Sequence, residues 1–318
     1  MKKIRAGVIG IGYLGTFHAQ KYAAMDHVDL VGVVDLDMGR AEKVAEELGT
    51  RAFSDYRSLF GQVDAVSVVV PTHHHYDVGM DFLAHDVDVL IEKPITSTLE
   101  EADRLIEFAE SRGLLIQVGH LERFNPAVVA LEDIVTPPRF IESHRLSIFK
   151  PRGIDVSVVL DLMIHDIDII LNFVKSDIKL IHAAGIPVIT EEVDIANAHL
   201  EFENGCVANV TASRVSIKNE RKLRMFQQDA YISVDFANHD ITVINKSEDA
   251  ATDPIPGMKV EKLSFLKGDA LDEEIKSFIS SVSRRVTPEV TGHVGRNALS
   301  IALNIMDQIN TTNRRTKK

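Results

Sequence analysis

The 318-residue sequence predicts an α/β protein in two parts. A doubly wound parallel sheet comes first, and an α/β part with antiparallel hairpin strands follows. Three observations predict this. Short apolar runs alternate with helical segments through residue 120. A glycine-rich turn, Gly10-Ile11-Gly12-Tyr13-Leu14-Gly15, joins the first run to the first helix. Beyond residue 120 the alternation stops, and strand-like runs separated by turn signals take over. The length exceeds that of a usual single domain, so domains over 1–120 and 121–318 are expected.

The elements follow in order. Ile4–Ile9 reads as a strand, Tyr13–Ala24 as a helix and Leu30–Val34 as a strand ending at Asp35. Helices over Ala41–Leu48, Tyr76–Ala84 and Thr98–Ser111 alternate with strands over Ala65–Val70, Asp88–Ile91 and Leu115–Val118. Strands joined by helices of this length imply right-handed parallel units. A long apolar helix is expected near 156–173, with Asp155 as its N-cap. Strands are expected at 178–184, 195–202, 206–215, 222–227, 230–236 and 241–244. Glu203-Asn204-Gly205 and Asn238-His239-Asp240 supply hairpin turns. Helices near 270–282 and 294–310 end the chain.

Composition narrows the function. Hydrophobic content of 45% and charged content of 26% are those of an ordinary globular protein, and no run approaches a membrane span. The net charge of −12 argues against a nucleic-acid surface. Cys206 is the one cysteine, so an intrachain disulfide and a thiolate metal cluster are excluded. Met1-Lys2-Lys3-Ile4-Arg5 leads into a strand rather than an apolar signal core, and a cytoplasmic location is expected.

The glycine turn has the spacing of a dinucleotide-binding (Rossmann) fingerprint, and it stands between a strand and a helix as that reading requires. Gly10 would make the tight turn, Gly12 admit a pyrophosphate and Gly15 allow close helix–strand packing. The helix start at Tyr13 and Leu14 would offer free N–H groups to phosphate. Asp35 would accept hydrogen bonds from the ribose hydroxyls and repel a 2′-phosphate, which favours NAD, although Arg40 nearby softens that preference. Glu92-Lys93-Pro94 ends an apolar strand and so places a lysine where ligands of open α/β sheets bind. On the long helix, Ser157, Asp161, His165, Asp168 and Asn172 recur at helical spacing and should share one face. Asp161 and His165 are four apart, so their side chains can meet, and a carboxylate there would fix the imidazole's tautomer. The run His73-His74-His75 does not make a metal site, because adjacent side chains cannot all face one ion, and no metal is expected.

Together, the Gly10 fingerprint, Glu92-Lys93-Pro94 and the Asp161/His165 pair resemble the Gfo/Idh/MocA family of sugar oxidoreductases over nearly the whole chain. The resemblance implies a catalytic pair, Lys93 and His165, with Asp161 supporting the histidine. It implies that Thr72 and His74 lie along NAD with Glu92 and Lys93. It also implies a C-terminal α/β domain with a large open, mainly antiparallel sheet, and a homodimer or homotetramer through that sheet. The segments Gly119–Ala127, Pro151-Arg152-Gly153 and Asp161–Asp168 further resemble a subgroup of that family, the UDP-N-acetylglucosamine 3-dehydrogenases. These make a 3-keto sugar that an aminotransferase converts to a 3-amino sugar for lipid A. A UDP-sugar carries a pyrophosphate, and Arg123, Arg145, Lys150 and Arg152 are grouped in this acidic chain. Arg123, Asn125 and Arg152, with Asp161 and His165, are the expected substrate residues. An inositol or free-sugar dehydrogenase of the same family, which needs no arginine cluster, is one alternative. An NAD-binding regulator without catalysis is the other.

Overall fold

Apart from Arg5, Ile4 to Ile9 are small or branched apolar residues, and they form the strand around which the first sheet is built. The structure, a computed structural model, describes residues 3–151, 154, 156–247, 257–265 and 268–316. The expected N-cap Asp155 and the expected substrate residue Arg152 lie outside these. The described chain divides into two compact units, Met1–Leu121 with Asp269–Asn297, and Glu122–Gly268 with Ala298–Lys318.

The first unit runs β1 (Ile4–Ile9), α1 (Tyr13–Ala23), β2 (Val28–Val34), α2 (Met38–Leu48), β3 (Arg51–Phe53) and β4 (Ala65–Val68). Then come α3 (His75–Ala84), β5 (Asp88–Glu92), α4 (Leu99–Ser111) and β6 (Ile116–Gly119). All six strands are parallel, in the order β3-β2-β1-β4-β5-β6. The order reverses between β1 and β4, and ligands of open sheets bind outside the carboxyl ends of the strands at such a switch point. Helix starts are locally encoded. Asp37 caps α2, and Thr98 with Glu101 forms a capping box on α4.

The second unit contains α5 (Pro126–Leu131), β7 (Phe140–Leu146), α6 (Ile164–Val174), β8 (Ile178–Ile186), β9 (Ile195–Phe202) and β10 (Val207–Ser213). It continues through β11 (Glu220–Phe226), β12 (Ala230–Asp235), β13 (Asp240–Lys246) and β14 (Met258–Ser264). The eight strands order as β14-β13-β12-β11-β7-β10-β9-β8, antiparallel except for the β7–β10 pair. Inward residues such as Ile141, Leu200, Val210, Leu223 and Ile232 pack with Ile164, Ile167 and Ile170 of α6. Ala302, Ile305 and Ile309 of the last helix join the same core.

Two features correct the expectation from sequence. The helix α7 (Ala270–Arg284) and the start of α8 (Gly292–Thr316) belong to the first unit, so the division at residue 120 assigns them wrongly. Leu271, Ile275, Phe278, Ile279 and Val282 recur at helical spacing and pack on Ala6, Val8, Tyr22 and Leu90. Each fully buried side chain of this kind stabilises by about 1.5–3 kcal/mol, which holds a segment far along the chain on the first sheet. In addition, the long helix opens with a π turn, Val159–Met163, before the α-helix proper. Such turns widen the helix by one residue and shift the phase of its faces.

Candidate active site

In the first unit, the carboxyl ends of β1, β2 and β4 open onto a cavity of about 820 Å³, the size of ordinary small-molecule sites. Ile9, Gly10, Gly12, Asp35, Arg40, Tyr56, Val70, Pro71 and His74 are among the residues that line it. The glycine turn is built for close approach. Gly10 has φ +89°, and a Cβ there would stand 2.6 Å from the Val69 carbonyl oxygen. A Cβ on Gly15 would stand 1.8 Å from the Gly10 carbonyl oxygen, so α1 packs on the turn only with glycine there. A Cβ on Gly12 would meet nothing within 4 Å, which leaves that backbone open. No side chain caps α1 at Gly12, and its positive dipole end favours an anion. These features fit a dinucleotide.

Asp35 follows β2 and lines the same cavity. Its carboxylate accepts the Ile11 and Asp37 N–H groups, both at 2.9 Å, and pairs with Arg40 at 3.2 Å. Arg40 also stands 3.4 Å from Asp37. The second loop of the cavity is held by His75, whose ring nitrogens lie 2.9 Å from the Pro94 carbonyl and 2.8 Å from the Val70 carbonyl. A neutral ring donates to one of these carbonyls and an imidazolium to both. Burial pushes the His75 pKa down, so the single donation dominates near neutrality. His75 thus ties the loop after β4 to the loop after β5, while His74 and His73 are exposed and Thr72 is half-buried.

Glu92 and Lys93 end β5. Lys93 is half-buried. Glu92 turns inward, 9% exposed, where it accepts from His18 at 3.2 Å and from the Lys93 N–H at 3.3 Å. Neither lines the cavity. Tyr13 is exposed at the start of α1 and Leu14 is half-buried beside it.

In the second unit the α6 region carries Asp161 in its π turn and His165 one residue into the α-helix, both half-buried. The polar residues expected to share one face differ in burial. Ser157 and Asp168 are buried, and the acid at Asp166, which the spacing did not single out, is buried too. Both acids have arginine partners. Arg123 grips Asp168 through Nε at 2.6 Å and Nη2 at 3.0 Å. Arg145 grips Asp166 at 2.8 and 3.0 Å and Glu122 at 2.8 Å. Burial opposes the Glu122 charge, but Arg145 outweighs it and holds the carboxyl below its ordinary range.

These pairs correct the reading of Arg123 and Arg145 as phosphate ligands. Their forks are already filled by carboxylates, and both guanidiniums are buried. Asn125 is likewise accounted for locally. Its Oδ1 accepts the Ala127 N–H to cap α5, and its amide donates to Glu122 at 3.2 Å. His18 and Glu274 are buried polar residues beside Glu92 that sequence reasoning missed. The signal for His18 was a polar residue on the buried face of α1, beside Tyr22.

A doubly wound parallel sheet with this glycine turn, acidic β2 end and cavity at the switch point defines a dinucleotide-binding protein of the Rossmann type. A model described as the oxidoreductase family, NAD-binding Rossmann fold, matches residues 4–120, and a GFO/IDH/MocA C-terminal domain model matches 138–233. The chain is 42% identical to UDP-N-acetylglucosamine 3-dehydrogenase of Acidithiobacillus ferrooxidans, over 96% of its own length and 97% of that protein. A solved structure of that enzyme superposes with TM-score 0.93 at 41% identity, covering 98% of this chain and 99% of the other. The scyllo-inositol 2-dehydrogenase (NAD(+)) of Bacillus subtilis is 28% identical, over 91% and 89%. The chain belongs to the Gfo/Idh/MocA family of oxidoreductases, and its activity class is that of a dehydrogenase with a nucleotide cofactor. Among the described residues no helix is long and apolar enough to cross a membrane.

Proposed function

We propose that this protein is a cytoplasmic, NAD-dependent dehydrogenase that oxidises the C3 hydroxyl of UDP-N-acetylglucosamine to the 3-keto sugar nucleotide. The observation that carries the substrate is 42% identity across almost the whole chain to an enzyme named for that reaction, against 28% to the inositol enzyme. A 3-keto product is the substrate an aminotransferase needs to install a 3-amino group, as in lipid A precursors. The NAD reading rests on Asp35, whose carboxylate stands in the cavity where a ribose 2′-phosphate would meet a negative charge.

Gly10, Gly12 and Gly15, with the N–H groups of Tyr13 and Leu14, would hold the pyrophosphate, and Asp35 the adenosine ribose. Thr72 and His74 would border the cofactor, with Glu92 and Lys93 at the nicotinamide end. NAD supplies the hydride acceptor. His165 takes the proton of the reacting hydroxyl, and Asp161 supports its basic form. Lys93 donates a hydrogen bond to the same oxygen and stabilises the negative charge that develops on it. Arg123 and Asn125 shape the substrate side from behind, through Asp168 and the start of α5, while Arg152 is the arginine of the group proposed to meet the diphosphate. The C-terminal sheet is the proposed surface for a homodimer or homotetramer.

Absorbance of NADH on mixing the protein and NAD with UDP-N-acetylglucosamine, myo-inositol, scyllo-inositol or glucose separates the readings. Turnover with the nucleotide sugar at an efficiency at least about 10²-fold above the polyols, a discrimination that a few kcal/mol of selective binding provides, supports the proposal. Brisk turnover with an inositol and none with the nucleotide sugar would overturn it.

A further inference from the structure

Behind Lys93, four side chains form a continuous polar chain inside the first unit. The Tyr22 hydroxyl lies 2.8 Å from Ser67 Oγ, Ser67 Oγ lies 3.1 Å from His18 Nδ1, and His18 Nε2 lies 3.2 Å from Glu92 Oε1. All but Glu92 are fully buried. Taken from Tyr22, each hydroxyl or ring nitrogen donates to the next group. His18 is then neutral, with its Nε2–H on Glu92, and Glu92 is the anion that receives His18 and the Lys93 N–H. Gly119 stands beside Glu92 in the β5–β6 register, and a Cβ there would press to 2.8 Å from the Glu92 carboxyl. Glycine in the neighbouring strand thus lets this carboxyl lie directly against the β6 backbone, and a larger residue would have to displace it.

A second acid closes the chain. Glu274 comes from α7, more than 150 residues further along, and is 0% exposed. A carboxyl oxygen of Glu274, one of Glu92 and a ring nitrogen of His18 all lie within 4.8 Å of one another. Neither Glu274 oxygen has a hydrogen-bond partner among the described residues. A buried polar atom left so is costly, and two adjacent buried anions are costlier still. The groups that face Glu274 include Glu92 from β5, His18 and Tyr22 from α1, and Gln117 from β6, whose amide donates to the Glu274 main-chain carbonyl at 3.0 Å. Burial, with Glu92 nearby, pushes the Glu274 carboxyl well above its ordinary range.

We propose that Glu274 is a positioning residue, a neutral carboxylic acid that shares its proton with Glu92 and so fixes Glu92 under the Lys93 main chain. One proton serves two carboxyl groups, as in paired acids elsewhere, and the pair carries a single negative charge. No atom is gained or lost, since the one proton would pass only between a Glu274 oxygen and a Glu92 oxygen, which lie within 4.8 Å of each other. The positioning part rests on the reading of Lys93 as the group that meets the reacting oxygen. The proton sharing does not. It also gives the return of α7 to the first unit a purpose, because α7 supplies the second acid.

Infrared difference spectroscopy, pH-resolved melting and kinetics test it with Glu274→Gln and Glu274→Ala. At neutral pH the wild type should show a protonated-carboxyl band that both variants lack. The folded wild type holds a proton that its unfolded chain releases above the ordinary carboxyl range. Wild-type stability therefore falls with rising pH, and the melting temperature of Glu274→Gln should gain on wild type as pH rises from about 5 to 8, a window set by that linkage. Glu274→Gln keeps a neutral donor and should retain near-wild-type kcat. Glu274→Ala should lose about 10²-fold in kcat, the usual effect of a small misplacement, with the KM for NAD unchanged. The band and the melting shift need no substrate, so they stand or fall apart from the proposed function. Absence of the band, a pH-independent melting difference, or full kcat in Glu274→Ala would overturn the proposal. So would one equivalent of a divalent metal in the purified protein that Glu274→Gln no longer binds, since a cation on His18, Glu92 and Glu274 would replace the shared proton.

Discussion

Asp35 and Arg40 set up a cofactor choice in two side chains. Asp35 is fixed by two N–H groups, so it cannot swing aside, and Arg40 partly neutralises it. Isothermal titration should show NAD binding more tightly than NADP. Asp35→Ser should narrow or reverse that order, because Arg40 would then be released to meet a 2′-phosphate. Equal affinities in the wild type would remove Asp35 from the choice. For catalysis, Lys93→Met and His165→Asn should each lower kcat by about 10²–10⁴-fold, the usual cost of removing an acid–base or proton-stabilising group. Both variants should still bind NAD, which titration checks. The features legible from sequence alone were those defined by short-range patterns: the glycine turn at Gly10, Gly12 and Gly15, and Asp35 at the end of β2. Arg123 misled because an arginine near a site reads as a phosphate ligand until its partner is known, and Asp168 is 45 positions away. Arg123→Met removes the buried guanidinium that grips Asp168 and should cost about 3–5 kcal/mol in denaturant unfolding. Unchanged stability with a raised KM for the nucleotide sugar would restore it as a ligand.

The same reasoning explains which elements could be read. β1, β5 and α4 announce themselves through apolar runs and caps. β7 escaped notice although it is central to its sheet, between β10 and β11. Its inward positions are Ile141, Ser143 and Arg145, so two of three buried side chains are polar and the alternation is masked. β14 is an edge strand with weak alternation, and β3 is three residues long. The connection from β8 to β9 is also pinned by a polar residue. Asp194 accepts N–H groups from Val188, Ile189 and Thr190 at 2.7–2.8 Å and the Thr190 hydroxyl at 2.7 Å. Burial works against its charge, but these four donors outweigh it and hold the carboxyl at about 2, below the ordinary 3.8. A depressed pKa contributes stability that is full above about pH 4 and is lost as pH falls through 2. Asp194→Asn should therefore destabilise by about 1.5–3 kcal/mol at neutral pH, with the difference shrinking in acid. A pH-independent difference in urea midpoints would show that the carboxylate charge is not what holds the loop.

Taken as one chain, the protein devotes its first unit to a cofactor and its second to a polar, arginine-braced helix. Neither the glycine turn nor the α6 residues distinguish a nucleotide sugar from a polyol, because both groups of relatives carry out the same hydride chemistry. Residue types at the fingerprint could be read from sequence, whereas substrate choice depends on side chains that spacing does not bring together. Oxidation of an alcohol by NAD is unfavourable near neutral pH, so the ketone must be drawn off for the reaction to be seen clearly. The decisive measurement is mass spectrometry of a mixture of the protein, NAD, UDP-N-acetylglucosamine, an amino donor and an aminotransferase specific for 3-keto sugar nucleotides. The account predicts a UDP-linked 3-amino sugar that is absent without NAD and absent with His165→Asn. No amino product from the nucleotide sugar, together with ready NADH formation from an inositol, would contradict it.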